Sequence, residues 1–582
     1  MDTEFDSVIR GGTVFDGSGG EPFVGDVGIR NGKIAAVGQI TGRGAEEIDA
    51  TGRIVTPGFV DIHTHYDGQI TWEHTLSPSS QHGITTAVMG NCGVGFAPCK
   101  PEHRELLVRV MEGVEDIPEV VMTAGIPWTW ESFPDYLNVL DTREADMDFA
   151  AQVPHAAARV NVMGQRGADR EPPTQGELAQ MTRIVAEGVR AGGIGVSTSR
   201  SIGHKTTAGQ PAPTTASEED ELIALARGLK EAGTGVFQLI SGAHEGSKEP
   251  VAEMAMLQRL IEASGRPLSF TMQQTNHKPH ACIEIMEQLS LATARGVPIK
   301  AQVFPRPVGI LFGLELSFHP FKFNPSYKAI ANLPLPERVE RMRKPDVRAR
   351  ILAEKPEHTN SIFLYFASQA EDLYPLGEIP DYEPIPDSTI GEQAKRLGIS
   401  ARELAYDRLL EQDGHATLFF AASNYVTGSL EPVREMLEHP DTLIGLGDGG
   451  AHYGMISDAS YPTHLLAYWT RDRTQGTKLG LPWAINALSR RNAVAVGMID
   501  RGLIAPGMKA DINVIDYDRI QLRAPRVNKD LPAGGSRLFQ GADGYELTMV
   551  SGVVTYRCGV HTGALPGKLV RSNGPAFAEE VH

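Results

Sequence analysis

The chain has 582 residues, enough for one large core with satellites or for two to four domains. With 72 acidic against 54 basic residues its formal charge is -18, and no basic block occurs, which argues against a phosphate-tracking nucleic-acid surface. Its 41% hydrophobic content is that of a globular protein, no apolar run approaches the ~20 residues that span a bilayer, and the opening MDTEFDSVIRGG lacks the features of a signal peptide.

Residues 1–57 alternate and turn repeatedly, as in SVIRGGTVFDGSG and GDVGIRNGKIAAVGQI. Short β-branched runs between Gly, Asn and Asp predict antiparallel strands joined by tight turns. The same texture returns over 503–582, in GMKADINVIDYDRI, YELTMVSGVVTYRCGV and TGALPGKLVR, so both termini are expected to build one small β-sandwich. Between them, over 58–502, eight short apolar runs alternate with helical stretches: GFVDIHTH, ITTAVMGNC, HAAARVNVMG, GGIGVSTS, TGVFQLIS, PLSFTMQQ, PIKAQVF and TLIGLGDGG. This α/β pattern predicts a closed (β/α)8, TIM-like barrel. Helical segments such as TQGELAQMTRIVAEGVRAG and SEEDELIALARGLKEAG carry apolar residues at three-to-four spacing, open after Thr or Ser, and stop at Gly. The stretch of about 309–440 is too long for a plain loop, and is expected to be a mostly helical insertion before the last barrel strand, serving as a lid or part of an interface.

Residues i and i+2 of a strand face the same side, so His63 and His65 project together at the C-terminal end of the first barrel strand, where barrel active sites are built. Two imidazoles there suit a metal such as zinc. Cys92 ends the second strand in MGNCGVG, where a thiolate reaches the same point; a buried core cysteine is the bland alternative. Asp448 ends the eighth strand, adjacent to the first in a closed barrel. Its carboxylate is suited to ligate a metal and to accept a proton from water. His452 follows, and is expected to touch substrate or orient Asp448.

Together with VTPGFVDIHTHYDGQ, HGITTAVMGNCGVGFAP, MEGVEDIP, GIPWTWESFPDYLNVLD and RGLIAPGMKADINVID, these residues resemble the amidohydrolase superfamily, in its N-acyl-D-amino-acid deacylase (D-aminoacylase) branch. The resemblance implies a barrel beside a β-sandwich, one or two zinc ions, and attack of metal-activated water on an amide carbonyl. Asp448 would take the proton and return it to the leaving nitrogen. The branch places a histidine on the fifth strand and another on the sixth. This chain has Gln238 on the fifth, and Met272, Gln273 and Gln274 on the sixth. The metal is therefore expected to move toward His63, His65, Asp448 and Cys92, with Gln238, Gln273, Gln274, His277 and Lys278 contacting substrate or water. The arginine with which the branch holds a substrate carboxylate beyond the eighth-strand Asp is also missing, so a neutral or aromatic amide is expected, with RPVGILFGLELSFHPF lining an apolar pocket.

Four cysteines in so long a chain form no disulfide framework, and a reducing, cytoplasmic setting is expected. The reading is a metal-dependent hydrolase of a linear amide C–N bond, acting on a small molecule with no nucleic-acid or membrane partner; a homo-oligomer is left open. The alternatives are a decarboxylase, esterase or C–C hydrolase on the same fold, or a binder without turnover.

Overall fold

The computed structural model describes residues 3–572 and 576–577; the outermost parts of the two terminal β segments, 1–2, 573–575 and 578–582, lie outside them. Eight barrel strands follow in chain order: β1 (Phe59–Asp61), β2 (Ile84–Met89), β3 (Asp148–Ala151), β4 (Gly195–Ser199), β5 (Val236–Ile240), β6 (Leu268–Thr271), β7 (Ile299–Val303) and β8 (Thr442–Ile444). Parallel ladders join β1 to β2 to β3, and β4 through β8 in sequence. Val153–Pro154, directly after β3, pairs with β4, and Thr64 beyond β1 bridges Gly449 beyond β8, which closes the ring. Nearly every strand residue is buried, because helices cover the outside and side chains fill the inside.

The third strand differs from its expected place. His155–Met163 is a helix, not a strand, and the strand is the preceding DFAAQVP. Three consecutive alanines at 156–158 favour the helix, and Pro154, in extended conformation, ends the strand as the helix N-cap.

The helices that matter for the site are α1 (Arg104–Glu115), α2 (His155–Met163), α3 (Gln175–Arg190) and α4 (Glu219–Ala232). A capping box between Thr174 and Glu177 starts α3, and Leu178, Met181, Val185 and Val189 form its buried stripe. By contrast, α4 starts after Glu218 without a side-chain cap, so Ser217 does not play the expected role; Gly233, at φ +80°, ends it.

Strands from both termini share one nine-stranded sheet, in which Ile54–Pro57 lies between Phe5–Val14 and Ile512–Ile515. Its inner face closes on Ile9, Val27, Ile29, Ile512, Val514 and Met549. The TGALPGKLVR segment leaves this sheet, and Gly567 and Leu569 bridge Ala145 and Phe149 at β3.

Between β7 and β8 the insertion carries helices including Leu335–Met342, Pro345–Ala353, Ile390–Leu397 and Ala401–Leu409, together with an unanticipated three-stranded antiparallel sheet of Val308–Phe312, Tyr374–Pro375 and Leu418–Ser423. It has its own core, and Phe312, Leu314, Phe318 and Phe321 are buried in it. Those side chains of the RPVGILFGLELSFHPF run therefore fill the insertion rather than line a substrate pocket, because a three-stranded sheet needs an apolar face of its own to be stable. Asn424 N–H donates to Gln274 O at 2.8 Å, tying the insertion to the segment after β6. Among the described residues no helix is long and apolar enough to cross a membrane.

Candidate active site

Beyond β1 the chain runs on between β2 and the end of β8. Thr64 N–H donates to Val88 O at 2.9 Å, His65 N–H to Gly449 O at 2.7 Å, and Asp448 N–H to His63 O at 3.0 Å. Thr64 turns its hydroxyl to Val88 O, and His63 and His65 project together on the other side. Cys92, Asp448 and His452 all hold left-handed backbone conformations, at φ +57°, +46° and +53°. Non-glycine residues adopt this region at a cost of about 1–2 kcal/mol, and here the turns that do so aim side chains at one place. Gly450, at φ +86°, has no room for a side chain: a Cβ would stand 2.8 Å from His65 O.

One ligand-type atom each from His63, His65 and Cys92 lie within 4.8 Å of one another, all buried. His63 Nδ1–H donates to Gln302 Oε1 at 2.8 Å, and Gln302 donates in turn to Ser269 Oγ at 3.0 Å. This fixes the tautomer, leaving the Nε2 lone pair 3.3 Å from Cys92 Sγ and 3.3 Å from Asp448 Oδ1. His65 Nε2 is 3.4 Å from Asp448 Oδ1 and 3.4 Å from Glu115 Oε2, and His452 Nε2 is 3.4 Å from the same Glu115 oxygen. Neither nitrogen of His65, neither carboxylate oxygen of Glu115, nor Oδ1 of Asp448 makes a hydrogen bond. Buried polar atoms are ordinarily paired, so this concentration of orphans marks a place built for a positive charge. The donor set of imidazole, thiolate and carboxylate is one that suits zinc.

Burial and mutual charge shift these groups in different directions. Burial pushes His63 down to about 4, so it is neutral with a free lone pair near pH 7. Burial opposes protonation of His65 as well, but Glu115 and Asp448 outweigh it and raise the group to about 9. Glu115 is raised to about 7 by burial, despite His65. Burial likewise raises the Cys92 thiol well above its usual range. Asp448 goes the other way: burial would raise it, yet His65 and His63 hold it below the usual carboxylate range.

Gln238 lies on the inward row of β5, level with Ser197 on β4 and Ser269 on β6, and both its polar atoms are buried without hydrogen bonds. Gln273 instead accepts from Ser423 Oγ at 2.9 Å, and Gln274 accepts and donates through its backbone to Asn424, so both are engaged with the insertion. His277 is exposed and Lys278 pairs with Glu249 at 2.9 Å; the loop after β6 turns outward, which separates these two from the cluster. His452 meets Glu115, rather than orienting Asp448 through a hydrogen bond.

Glu115 and His204 were not singled out from sequence. Glu115 lies within MEGVEDIP, and its signal was an acidic residue closing an amphipathic helix just before a turn. His204, in the loop after β4, is driven down to about 4 by burial and has His65 and Asp448 among its charged neighbours.

The model of the amidohydrolase family matches residues 46–556. A D-aminoacylase of Alcaligenes xylosoxydans xylosoxydans is 34% identical over 197 residues, 33% of this chain and 37% of that protein. An N-acyl-D-glutamate deacylase of the same organism is 26% identical over 539 residues, 90% of each chain. The match spans only about a third of the length of the first curated relatives, 32% in the first of them. A solved N-acyl-D-glutamate deacylase from Bordetella bronchiseptica, complexed with zinc and a phosphonate inhibitor, superimposes with a TM-score of 0.63 at 22% identity, covering 98% of this chain and 100% of that one.

Proposed function

The chain belongs to the amidohydrolase family, and from that premise we propose that it is a metal-dependent hydrolase cleaving a linear amide C–N bond of a small molecule, with Asp448 as the proton shuttle. The observation that carries this reading is the convergence of His63, His65, Cys92 and Asp448 on one buried point where polar atoms lack hydrogen bonds. These four residues would hold one or two zinc-type ions. Such an ion, when bound, polarises a carbonyl and lowers the pKa of water toward ~7.

The chain's own residues supply the rest. Gln302 keeps the His63 ring in the orientation and tautomer that ligation needs. The Asp448 side chain is 19% exposed, which leaves it access to the barrel mouth. Its carboxylate accepts a proton from the attacking water and returns it to the leaving nitrogen, without which the amine would be too poor a leaving group. Gln238 offers one donor and one acceptor to the amide being cleaved.

A neutral or aromatic amide is the favoured substrate class, because two of the cations that could hold a carboxylate are engaged: Arg200 with Glu253 at 3.1 Å and Lys278 with Glu249 at 2.9 Å. The four cysteines are free, which fits a reducing, cytoplasmic setting. Metal analysis of purified protein, followed by turnover of neutral amides against N-acyl-D-amino acids, tests the proposal. Stoichiometric zinc and preference for neutral amides are expected; protein that stays metal-free when supplied with zinc sinks the hydrolase, and strong preference for the acids sinks the substrate class alone.

A further inference from the structure

Resting on the metal-dependent reading above, we propose that Glu115 is itself a ligand of the cation at the barrel mouth, and that His452 and the turn after α1 hold its carboxylate in position. Glu115 is 1% exposed, and neither carboxylate oxygen has a hydrogen bond. A buried carboxylate without donors is among the costliest groups a fold can carry, unless a cation compensates it. It sits in the last turn of α1, the negative end of the helix dipole, where no basic residue lies, so the groups that face it are the imidazoles of His65 and His452.

The direction of approach separates a ligand from a supporting group. A carboxylate that merely orients a ligating histidine accepts from the ring nitrogen facing away from the metal. Glu115 Oε2 instead faces His65 Nε2, at 3.4 Å, the nitrogen that Asp448 Oδ1 also faces at 3.4 Å. These separations are longer than ordinary N–H···O bonds, and the atoms make no well-formed hydrogen bond. They bring the two carboxylate oxygens and the imidazole nitrogen close enough to face a shared cation. The contacts run Cys92–His63–Asp448–His65–Glu115, each 3.3 or 3.4 Å, so Glu115 extends the run of close donor atoms on the His65 side as Cys92 does on the His63 side.

The fold fixes this arrangement. Asp116 ends α1 at φ +50°, and its carboxylate accepts from Ser317 Oγ at 2.9 Å in the insertion and from Gly454 N–H at 3.0 Å after β8. The backbone N–H of His452 donates to Glu115 O, which brings its ring against Oε2. β5 presents Gln238 and Met272 follows β6 on that side of the barrel, so the anionic donor arrives from the end of α1.

The test is a titration of metal-free wild type, E115Q and C92S with cobalt(II) and zinc, read by visible absorption and chelator competition, with thermal unfolding of each metal-free form. E115Q is expected to bind both ions at least about tenfold more weakly and to change the cobalt d–d bands. It should keep the sulfur-to-cobalt charge-transfer band that C92S removes. Metal-free E115Q should unfold no earlier than metal-free wild type, because it removes a buried charge, yet gain less on adding zinc. Unchanged d–d bands with affinity within about threefold of wild type would overturn the assignment while leaving the hydrolase reading intact. Should E115Q not fold, E115D, whose carboxylate is withdrawn by one methylene, decides by the same readouts. If wild type itself binds neither ion, both this assignment and the metal-dependent reading fail.

Discussion

Two buried clusters of histidine and carboxylate lie on either side of the barrel wall, and they are built on opposite terms. Outside β4, His155 Nδ1 shares a hydrogen bond of 2.7 Å with Thr198 Oγ1, and His155 Nε2 donates to Glu221 Oε1 at 2.9 Å. Arg159 holds both Glu221 oxygens, and its Nε–H donates to Gly167 O at 3.1 Å. None of the polar atoms of His155, Glu221 or Arg159 is among the buried orphans. At the mouth, His65 and Glu115 are as deeply placed and Asp448 is partly exposed, and the three leave five polar atoms unpaired. A Thr–His–Glu arrangement looks catalytic on paper, but a satisfied network locks helices α2 and α4 to the barrel. The unsatisfied one has something left to bind.

The largest expected effect tests the open cluster. D448N should keep the fold and lose roughly 10²- to 10⁴-fold in kcat, measured on whichever amide the screen identifies; retained turnover would remove Asp448 from the proton path. In the closed cluster the loss should appear in stability instead. E221Q leaves Arg159 buried without its counter-charge, so the urea midpoint should fall by the equivalent of about 3–5 kcal/mol while kcat per folded molecule stays unchanged. The pH dependence follows from the same pair. Burial would raise Glu221, but His155 and Arg159 outweigh it and depress the group from 4.5 to about 2. Its contribution is complete above pH 4.5 and is lost as pH falls toward 2, so the stability gap between wild type and E221Q should narrow in that window, and a gap that stays constant there would refute the pairing.

Smaller effects sharpen the contrast. Gln302 is the paired part of the open cluster, and Q302A should weaken zinc binding about 10–100-fold through a loosened His63 ring, as chelator competition would show. Q238L removes the two orphaned amide atoms of β5. It should raise KM about tenfold with little change in metal content; an unchanged KM would place the substrate elsewhere.

Much of this was legible from residues alone. Local apolar runs bounded by turn residues marked seven of the eight barrel strands, since a parallel strand buried on both faces has to be apolar throughout. The exception, HAAARVNVMG, has strand-like content, but its alanines and the proline before it favour a helix, a local conflict that the neighbouring strand decides. The His63–His65 pair was readable because strand periodicity alone puts i and i+2 on one side. Cys92 and Asp448 were readable because they end strands adjacent to β1.

What only the tertiary structure decided was everything that depends on two distant segments meeting. Glu115 reaches His65 because Asp116 is tied to Ser317 and Gly454, residues 201 and 338 positions away. His277 and Lys278 looked equally polar and equally close to a strand end, yet their loop turns outward. Periodicity carries direction along one element; the satisfaction of a buried charge is settled among elements, and it is written nowhere in the order of residues.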